Sequence, residues 1–462
     1  MFFQPQPLHF AGIGGIGMSG LAEIYHALGY PVSGSDVKLS AITARLARLG
    51  IPVREGHAAA NLPGGTGALI ITSALRADNP ELVEARRRGL PVVTRGELLA
   101  DLMSGRNGVA VGGSHGKTTT TSMLACIALE AGLDPTVFIG TLVPFLDGSN
   151  ARLGGDLMIT ECDESDGSFL ELAPAYSIIT NIDREHLDHY GTFDNAKQAF
   201  VRFANRVCFQ GAVILCLDDP EVRSVLPQVR RRTITYGSSP DAQLQLTDIQ
   251  TGTSGSAFRL TLDGKALGSF ELNVLGRHNV LNATAAIAAA MELGVPTDRI
   301  RSGLANYRGT GRRMELKGTV HGITVIDDYG HHPTEVRATL AALRLTRPRR
   351  LVVLFQPHRY TRTKALMPEF STAFGDADLV RIVELYEASE SPIEGVNSEA
   401  LAEAVRRQGH PDCRYAGSLT QAVEMIASEL EEGDLVLTLG AGSVTQAGPM
   451  LLAKLRKESS DG

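Results

Sequence analysis

Short apolar runs alternate with segments of helical period along the first hundred residues: LHFAGIG, GMSGLAEIYHALG, VSGSD, AITARLARLG, ALIITSAL, NPELVEARRRG, PVVT and GELLADLM. Such alternation predicts parallel strands joined by crossover helices. The rhythm returns after residue 103 through Val109-Ala110-Val111, DLMITECDE, YSIITNID and AVILCLDD. Between 243 and 274 the period changes, because AFRLTL and SFELNV flank Asp263-Gly264, which predicts an antiparallel hairpin insertion. A helical run, HNVLNATAAIAAAMELG, follows. From 313 onward TVIDD, LVVLF, LVRIVEL and LVLTLG alternate with helical segments and predict a third open parallel sheet. The expected fold class is α/β with three domains, over 1–102, 103–312 and 313–462. The length of 462 residues agrees, since one hydrophobic core rarely serves so long a chain.

Two glycine-rich turns sit where strands give way to helices. The first is Gly12-x-Gly14-x-x-Gly17, with Asp36 19 residues beyond it at the end of the second apolar run. This is the spacing of a domain that binds nucleotide diphosphates, although glycines needed only for tight strand–helix packing give the same pattern. The second is Gly112-Gly113-Ser114-His115-Gly116-Lys117-Thr118-Thr119, after Val109-Ala110-Val111 and before TTTTSMLACIALEA. Glycines let main-chain amides approach phosphate oxygens, Lys117 supplies a point charge for the β- and γ-phosphates, and the Thr118 hydroxyl suits Mg²⁺. This loop is one residue shorter than G-x-x-x-x-G-K-[ST], because Val111 stands where the first glycine belongs. It predicts ATP binding by a specialised subclass.

Composition narrows the partners. With 44 basic and 51 acidic residues the net charge is −7, and no Lys/Arg cluster is interleaved with aromatics, so nucleic acid is not an expected partner. Five cysteines without C-x-x-C spacing suit a reducing compartment rather than a disulfide framework or zinc site. No stretch is apolar for the ~18–20 residues that cross a bilayer, and MFFQPQPLHF lacks a basic leader, so a cytoplasmic chain without membrane association is expected.

Further candidate chemistry lies just after apolar runs. Glu161 opens the cluster Glu161-Cys162-Asp163-Glu164-Ser165-Asp166, whose four carboxylates in six residues would repel one another without a cation. His186 lies in TNIDREHLDHY; by spacing alone it is better read as a helix cap than as a ligand. In the third domain Asp327-Asp328-Tyr329-Gly330-His331-His332-Pro333 and His358-Arg359-Tyr360-Thr361-Arg362 follow separate strands, and their histidines and arginines can hold a small anionic substrate. A nicotinamide oxidoreductase built on the first turn, or a nucleotide switch built on the second, remains open from the residues alone.

The blocks GGSHGKTTTT, ECDESDGSFL, TNIDREHLDHY, GRHNVLNATAAIAAA, GTGRRMELKG, DDYGHHPTEV and FQPHRYTRTKAL, in this order, resemble the ATP-dependent Mur ligases of peptidoglycan synthesis, and the likeness runs from HFAGIGGIGMSGLAEI to GAGSV. The resemblance implies a Rossmann-like N-terminal domain for a UDP-sugar, a central ATPase domain and a Rossmann-like C-terminal domain that closes for catalysis. It implies UDP-N-acetylmuramate and L-alanine as substrates, ATP and Mg²⁺ as cofactors, an acyl phosphate intermediate and a monomer or homodimer. Carried over residue by residue, it places Gly12, Gly14, Gly15, Gly17, Asp36 and Ser73 at the UDP-sugar. Gly113, Ser114, His115, Gly116, Lys117, Thr118, Thr119, Asn279, Asn282, Arg313 and Asp328 fall at ATP, and Thr118, Glu161 and His186 at the metal. Tyr329, His331, Arg359 and Arg362 fall at the amino acid, with Lys117, His331, Arg359 and Arg362 in catalytic roles. Ser114, Cys162 and Ser443 depart from the family's usual residues, and none removes a reacting group.

Overall fold

The computed structural model describes residues 4–458, so the outermost positions of the first and third expected domains lie outside the described residues. Three sheets follow one another along the chain. The first contains β1 (Leu8–Ala11), β2 (Val32–Asp36), β3 (Val53–Glu55), β4 (Ala68–Ile71) and β5 (Val92–Thr94), in the order β3-β2-β1-β4-β5 and parallel throughout.

The second contains β6 (Asn107–Gly112), β7 (Thr136–Phe138), β8 (Ala151–Arg152), β9 (Leu157–Glu161), β10 (Tyr176–Ile179), β11 (Ala212–Cys216), β12 (Thr233–Gly237), β13 (Leu244–Thr251), β14 (Ser256–Leu262) and β15 (Lys265–Leu272). Its order is β15-β14-β13-β12-β11-β10-β6-β9-β7-β8. The phosphate-loop strand β6 is flanked by parallel β9 and β10, and that placement brings their loops to its carboxyl end. The third sheet contains β16 (Glu315–Val320), β17 (Ile323–Asp328), β18 (Leu351–Phe355), β19 (Leu379–Ile382), β20 (Cys413–Tyr415) and β21 (Leu435–Leu439), in the order β16-β17-β21-β18-β19-β20. Only β16 runs antiparallel to its neighbour.

The sequences explain these placements. AVILC in β11, LVVLF in β18 and LVLTL in β21 are buried along their whole length, as strands covered by helices on both faces must be. The turn joining β14 to β15 has Asp263 at φ 47° and Gly264 at φ 79°, the left-handed pair that a two-residue hairpin demands. The expected hairpin is therefore present, with β13 as a third strand before it. Helices start where side chains satisfy their free amides: Thr94 and Glu97 form a reciprocal cap at Arg95–Met103, and Ser40 with Thr43 does so at Ala41–Arg48.

Two compact units partition the chain. One holds the residues up to Thr247 with Arg259–Phe270 and Leu281–Tyr307, and so contains the first sheet and most of the second. The other holds Asp248–Phe258, Glu271–Val280 and the residues from Arg308 on, and so contains the third. Within the first unit, Phe10, Leu21, Leu99, Phe169, Phe200 and Phe203 belong to one continuous core. In the second unit Val336, Leu340, Val353, Phe355 and Leu437 pack together on one face of the sheet, and Val325, Val352, Val436 and Leu451 on the other.

Candidate functional site

The phosphate loop is fixed by two glycines and by the residues after β10. Gly113 has φ 126°, and a Cβ there would stand 2.1 Å from Thr180 Oγ1; Gly116 has φ 81°, and a Cβ there would stand 2.4 Å from Asn282 Oδ1. Both positions exclude L side chains on conformation and on space. Asn181 Oδ1 accepts from the His115 amide at 2.8 Å, Thr180 Oγ1 donates to the His115 carbonyl at 2.6 Å, and the Asp183 amide donates to Ser114 Oγ at 2.8 Å. Asp183 also reaches His115 Nε2 at 2.9 Å. Thr180, Asn181 and Asp183 were not singled out from sequence as loop supports. Their signal is a polar run directly after a buried strand, and it acquires meaning only once β10 is known to lie beside β6.

Lys117 begins the helix Lys117–Glu130, with Thr118 and Thr119 in its first turn. Its Nζ donates to the Gly113 carbonyl at 2.7 Å and the Ser114 carbonyl at 3.2 Å, and it lies 2.9 and 2.8 Å from the two Glu164 oxygens. Burial disfavours the ammonium, but Glu164, Asp163 and Glu161 outweigh it and hold Lys117 above its ordinary range. Burial is also the largest influence on Glu164, pushing its carboxyl up to about 7 although Lys117 pulls the other way. His186 Nε2 lies 3.7 Å from Glu164, so Lys117, Glu164 and His186 form one group. His186 has φ 55° at the start of the short helix Leu187–Tyr190. Glu161 ends β9 opposite Val111 of β6, and its Oε1 would lie 1.7 Å from a Cβ on Gly140.

The acidic cluster is therefore neutralised largely by the protein's own cations. Lys117 answers Glu164, while Arg95 Nη2 lies 3.2 Å from Asp163 Oδ2 and 3.8 Å from Asp166 Oδ2. The expectation that mutual repulsion alone demands a metal loses its force for Asp163, Glu164 and Asp166. Arg95 was not singled out from sequence either, because a single arginine at the start of a helix carries no pattern.

In the first sheet, Gly12, Gly14, Gly15 and Gly17 form the turn after β1, and Asp36 ends β2. Asp36 Oδ2 accepts from the Gly14 amide at 2.8 Å, so this carboxylate fastens the turn itself. Ser73 is exposed just beyond β4, next to Thr72, whose methyl lies 3.3 Å from where a Gly12 Cβ would stand. Asn279 and Asn282 stand one turn apart on the helix Arg277–Glu292, and Asn279 Nδ2 donates to the Leu275 carbonyl at 2.7 Å.

In the third sheet the singled-out residues gather after β17 and β18. Asp328, pushed up to about 6 mainly by burial and against the pull of Arg313, accepts from the Gly330 amide at 2.7 Å and the Met314 amide at 2.8 Å. The Arg312 and Arg313 guanidinium groups lie 4.9 and 5.5 Å from the Tyr329 ring centre, and Arg313 donates to Glu335 at 3.2 Å. The His331 ring is 5.5 Å from Tyr329 and 5.8 Å from His358. His331 Nδ1 is 3.1 Å from the Tyr329 carbonyl, which can only accept. In a neutral ring the hydrogen then sits on Nδ1 and the lone pair on Nε2. Arg362 Nη1 lies 3.2 Å from His358 Nδ1, and Arg359 has φ 71°, a strained setting for a non-glycine residue.

Three family models match in sequence along the chain: Mur ligase family, catalytic domain over 7–107; Mur ligase middle domain over 111–290; and Mur ligase, glutamate ligase domain over 312–442. The chain belongs to the Mur ligase family. It is 56% identical over 459 residues to the UDP-N-acetylmuramate–L-alanine ligase of Solibacter usitatus, across 99% of this chain and 97% of that one. The enzyme of the same name from Myxococcus xanthus is 51% identical over 450 residues, across 97% and 95%. Among solved structures, the UDP-N-acetylmuramate-alanine ligase of Thermotoga maritima superposes with a TM-score of 0.83 at 30% identity, covering 98% of this chain and 100% of that one. The murein peptide ligase of Psychrobacter arcticus, at 24% identity and a TM-score of 0.72, shares the Mur ligase fold over 97% of this chain.

Proposed function

We propose that this Mur ligase joins L-alanine to the carboxyl of UDP-N-acetylmuramate as ATP is converted to ADP and phosphate, a step of peptidoglycan precursor synthesis. The observation that carries the reading is the likeness to alanine ligases over nearly the whole chain, 56% at its highest among the relatives above. Three domains divide the work: 1–102 takes the UDP-sugar through the turn of Gly12, Gly14, Gly15 and Gly17 with Asp36 and Ser73, 103–312 takes ATP, and 313–462 takes the amino acid. Gly113, Ser114, His115, Gly116, Lys117, Thr118 and Thr119 hold the phosphates. Asn279 and Asn282 serve the adenine side, and Arg313 and Asp328 the nucleotide. The enzyme acts in the cytoplasm as a monomer or homodimer, without nucleic acid; among the described residues no helix is long and apolar enough to cross a membrane.

A carboxylate is a poor electrophile and must be activated before an amine can displace oxygen from it. The muramate carboxylate oxygen attacks the γ-phosphorus, the bond to the bridging oxygen of ADP breaks, and an acyl phosphate results. Lys117 leaves Glu164 and the loop carbonyls to neutralise the transferring group. The hydroxyl and carboxylate of Thr118 and Glu161 are hard oxygen donors that suit Mg²⁺, with His186 completing the set. When bound, that ion neutralises phosphate charge. The alanine nitrogen then attacks the acyl carbon, phosphate leaves with the carboxyl-derived oxygen, and the nitrogen gives up a proton. His331 receives it at Nε2, the atom that its bond to the Tyr329 carbonyl leaves with a lone pair. Arg359 and Arg362 pair the alanine carboxylate and Tyr329 packs against it.

Release of ADP with UDP-N-acetylmuramate and, in turn, alanine, serine, glycine or a preformed peptide tests the reading. Alanine is expected to give the highest kcat/KM. Turnover with the peptide alone, or ADP release that ignores the amino acid, would overturn it.

A further inference from the structure

Arg95 occupies an unusual place for a cation. It is the first residue of the helix Arg95–Met103, where the helix dipole repels positive charge. It follows directly from β5, at the carboxyl edge of the parallel sheet that bears the glycine turn. Gly96 beside it has no Cβ; one there would stand 2.5 Å from Ser168 Cβ, so the helix start is pressed onto the acidic loop of the second sheet. The Arg95 side chain crosses the glycine turn, with Cδ and Nη1 3.0 and 3.3 Å from where a Gly17 Cβ would stand, and ends at Asp163 and Asp166. The next residue, Glu164, holds Lys117. One side chain thus spans the ground between the turn read as the diphosphate site and the lysine read as the γ-phosphate group. A muramyl group bound by the first and activated beside the second must cross that ground.

We propose that Arg95 is a substrate-binding residue: its guanidinium leaves Asp163 and Asp166 to pair with an anionic oxygen of the sugar nucleotide. The assignment rests on the functional reading above. The paired carboxylates act as a stand-in for the ligand, keeping the fork oriented and charged until a better-placed anion arrives. Two groups of the ligand share the needed chemistry, the diphosphate and the muramate carboxylate, and UDP-N-acetylglucosamine carries only the first.

Calorimetric titration of both sugar nucleotides into the full-length protein, with the thermal midpoint of each variant, tests the proposal. R95A is expected to weaken UDP-N-acetylmuramate on the order of 10- to 100-fold, the worth of a charged hydrogen-bonded pair. R95K keeps the charge without the fork and is expected to fall between. D163N removes the competing charge, while its remaining carbonyl can still accept from the Ser165 amide, as Asp163 Oδ1 does at 3.0 Å; it is expected to bind at least as tightly as wild type. Loss by R95A for both ligands assigns the diphosphate, and loss for UDP-N-acetylmuramate alone assigns the carboxylate. Wild-type affinity in R95A and R95K with a lowered midpoint would reduce Arg95 to a fastener between two loops and overturn the proposal, as would weaker binding by D163N. If R95A does not fold, wild-type affinity in R95K alone overturns it. A wild-type protein that binds neither sugar nucleotide overturns the functional reading as well.

Discussion

At the scale of single residues, the phosphate loop stores its lysine rather than leaving it in solvent. Lys117 is clasped by two loop carbonyls and by Glu164, so a triphosphate must compete with contacts already made. Under the proposed mechanism, replacing Lys117 by Ala removes the charge that neutralises the transferring phosphoryl group. Turnover is expected to fall on the order of 10²–10³-fold or more, while UDP-N-acetylmuramate still binds. Glu164→Gln removes the competitor and keeps the shape. ATP measured alone is expected to bind a few-fold more tightly, on the order of three- to tenfold, because only the bound state loses nothing. Equilibrium binding separates the two variants by sign. Gly113→Ala asks for a methyl 2.1 Å from Thr180 Oγ1 on a backbone at φ 126°. At about 1–3 kcal/mol of backbone strain, before any clash, the loop must deform. Its kcat/KM for ATP is expected to drop ~100-fold or more, and a fall below tenfold would show that the loop does not cradle phosphate.

At the scale of elements, what could be read from the chain depended on how each strand is buried. The central strands β1, β6, β9, β11, β17, β18 and β21 declare themselves as continuous apolar runs because both faces are covered. The edge strands β3 (VRE), β16 (ELKGTV) and β20 (CRY) carry polar residues on exposed positions and leave no run to detect. The phosphate loop and its lysine were legible because their chemistry is local. Glu164, Asn181 and Arg95 were not, since their roles depend on which strands are neighbours, and strand order is not written in local pattern. The same applies to Glu81. This buried carboxylate of the helix Pro80–Arg87 accepts from Ser35 of β2 at 2.6 Å and Asn61 at 3.0 Å, and faces His9 of β1 at 3.8 Å. Burial alone would raise its pKa, but these partners outweigh burial and bring it down to about 2. A carboxyl lowered from 4.5 on folding contributes stability above that value and loses it as pH falls through 2. The contribution is about 3 kcal/mol at neutral pH. Glu81→Gln is expected to lower the urea midpoint at pH 7 and to flatten its dependence on pH between 4.5 and 2. A variant that keeps the wild-type acid limb would place that limb on other groups.

At the scale of the whole molecule, each sheet offers its chemistry at the carboxyl ends of parallel strands: the glycine turn after β1, the phosphate loop after β6, Glu161 at the end of β9, and the histidine and arginine groups after β17 and β18. Crossover connections leave those ends open while helices cover the faces, so three separate sheets can each present a ligand site without exposing a core. Under the proposed function, such a division assigns activation and capture to different groups, and it also limits selectivity. Activation depends on the sugar nucleotide and ATP, and neither differs when one amino acid replaces another. Discrimination among amino acids must then come from the capture step alone. Alanine differs from glycine by one methyl, and a pocket that buries a methyl gains only ~1–3 kcal/mol, or about 10- to 200-fold. Glycine is therefore expected to be a measurable substrate within that range of kcat/KM. Serine adds a hydroxyl that an apolar pocket rejects with similar modesty. Competition between alanine and glycine, read as the ratio of products at equal concentrations, gives the number directly. A ratio above about 10⁴ would require either a hydrogen-bonded readout that a methyl cannot supply or a separate step that destroys the wrong product.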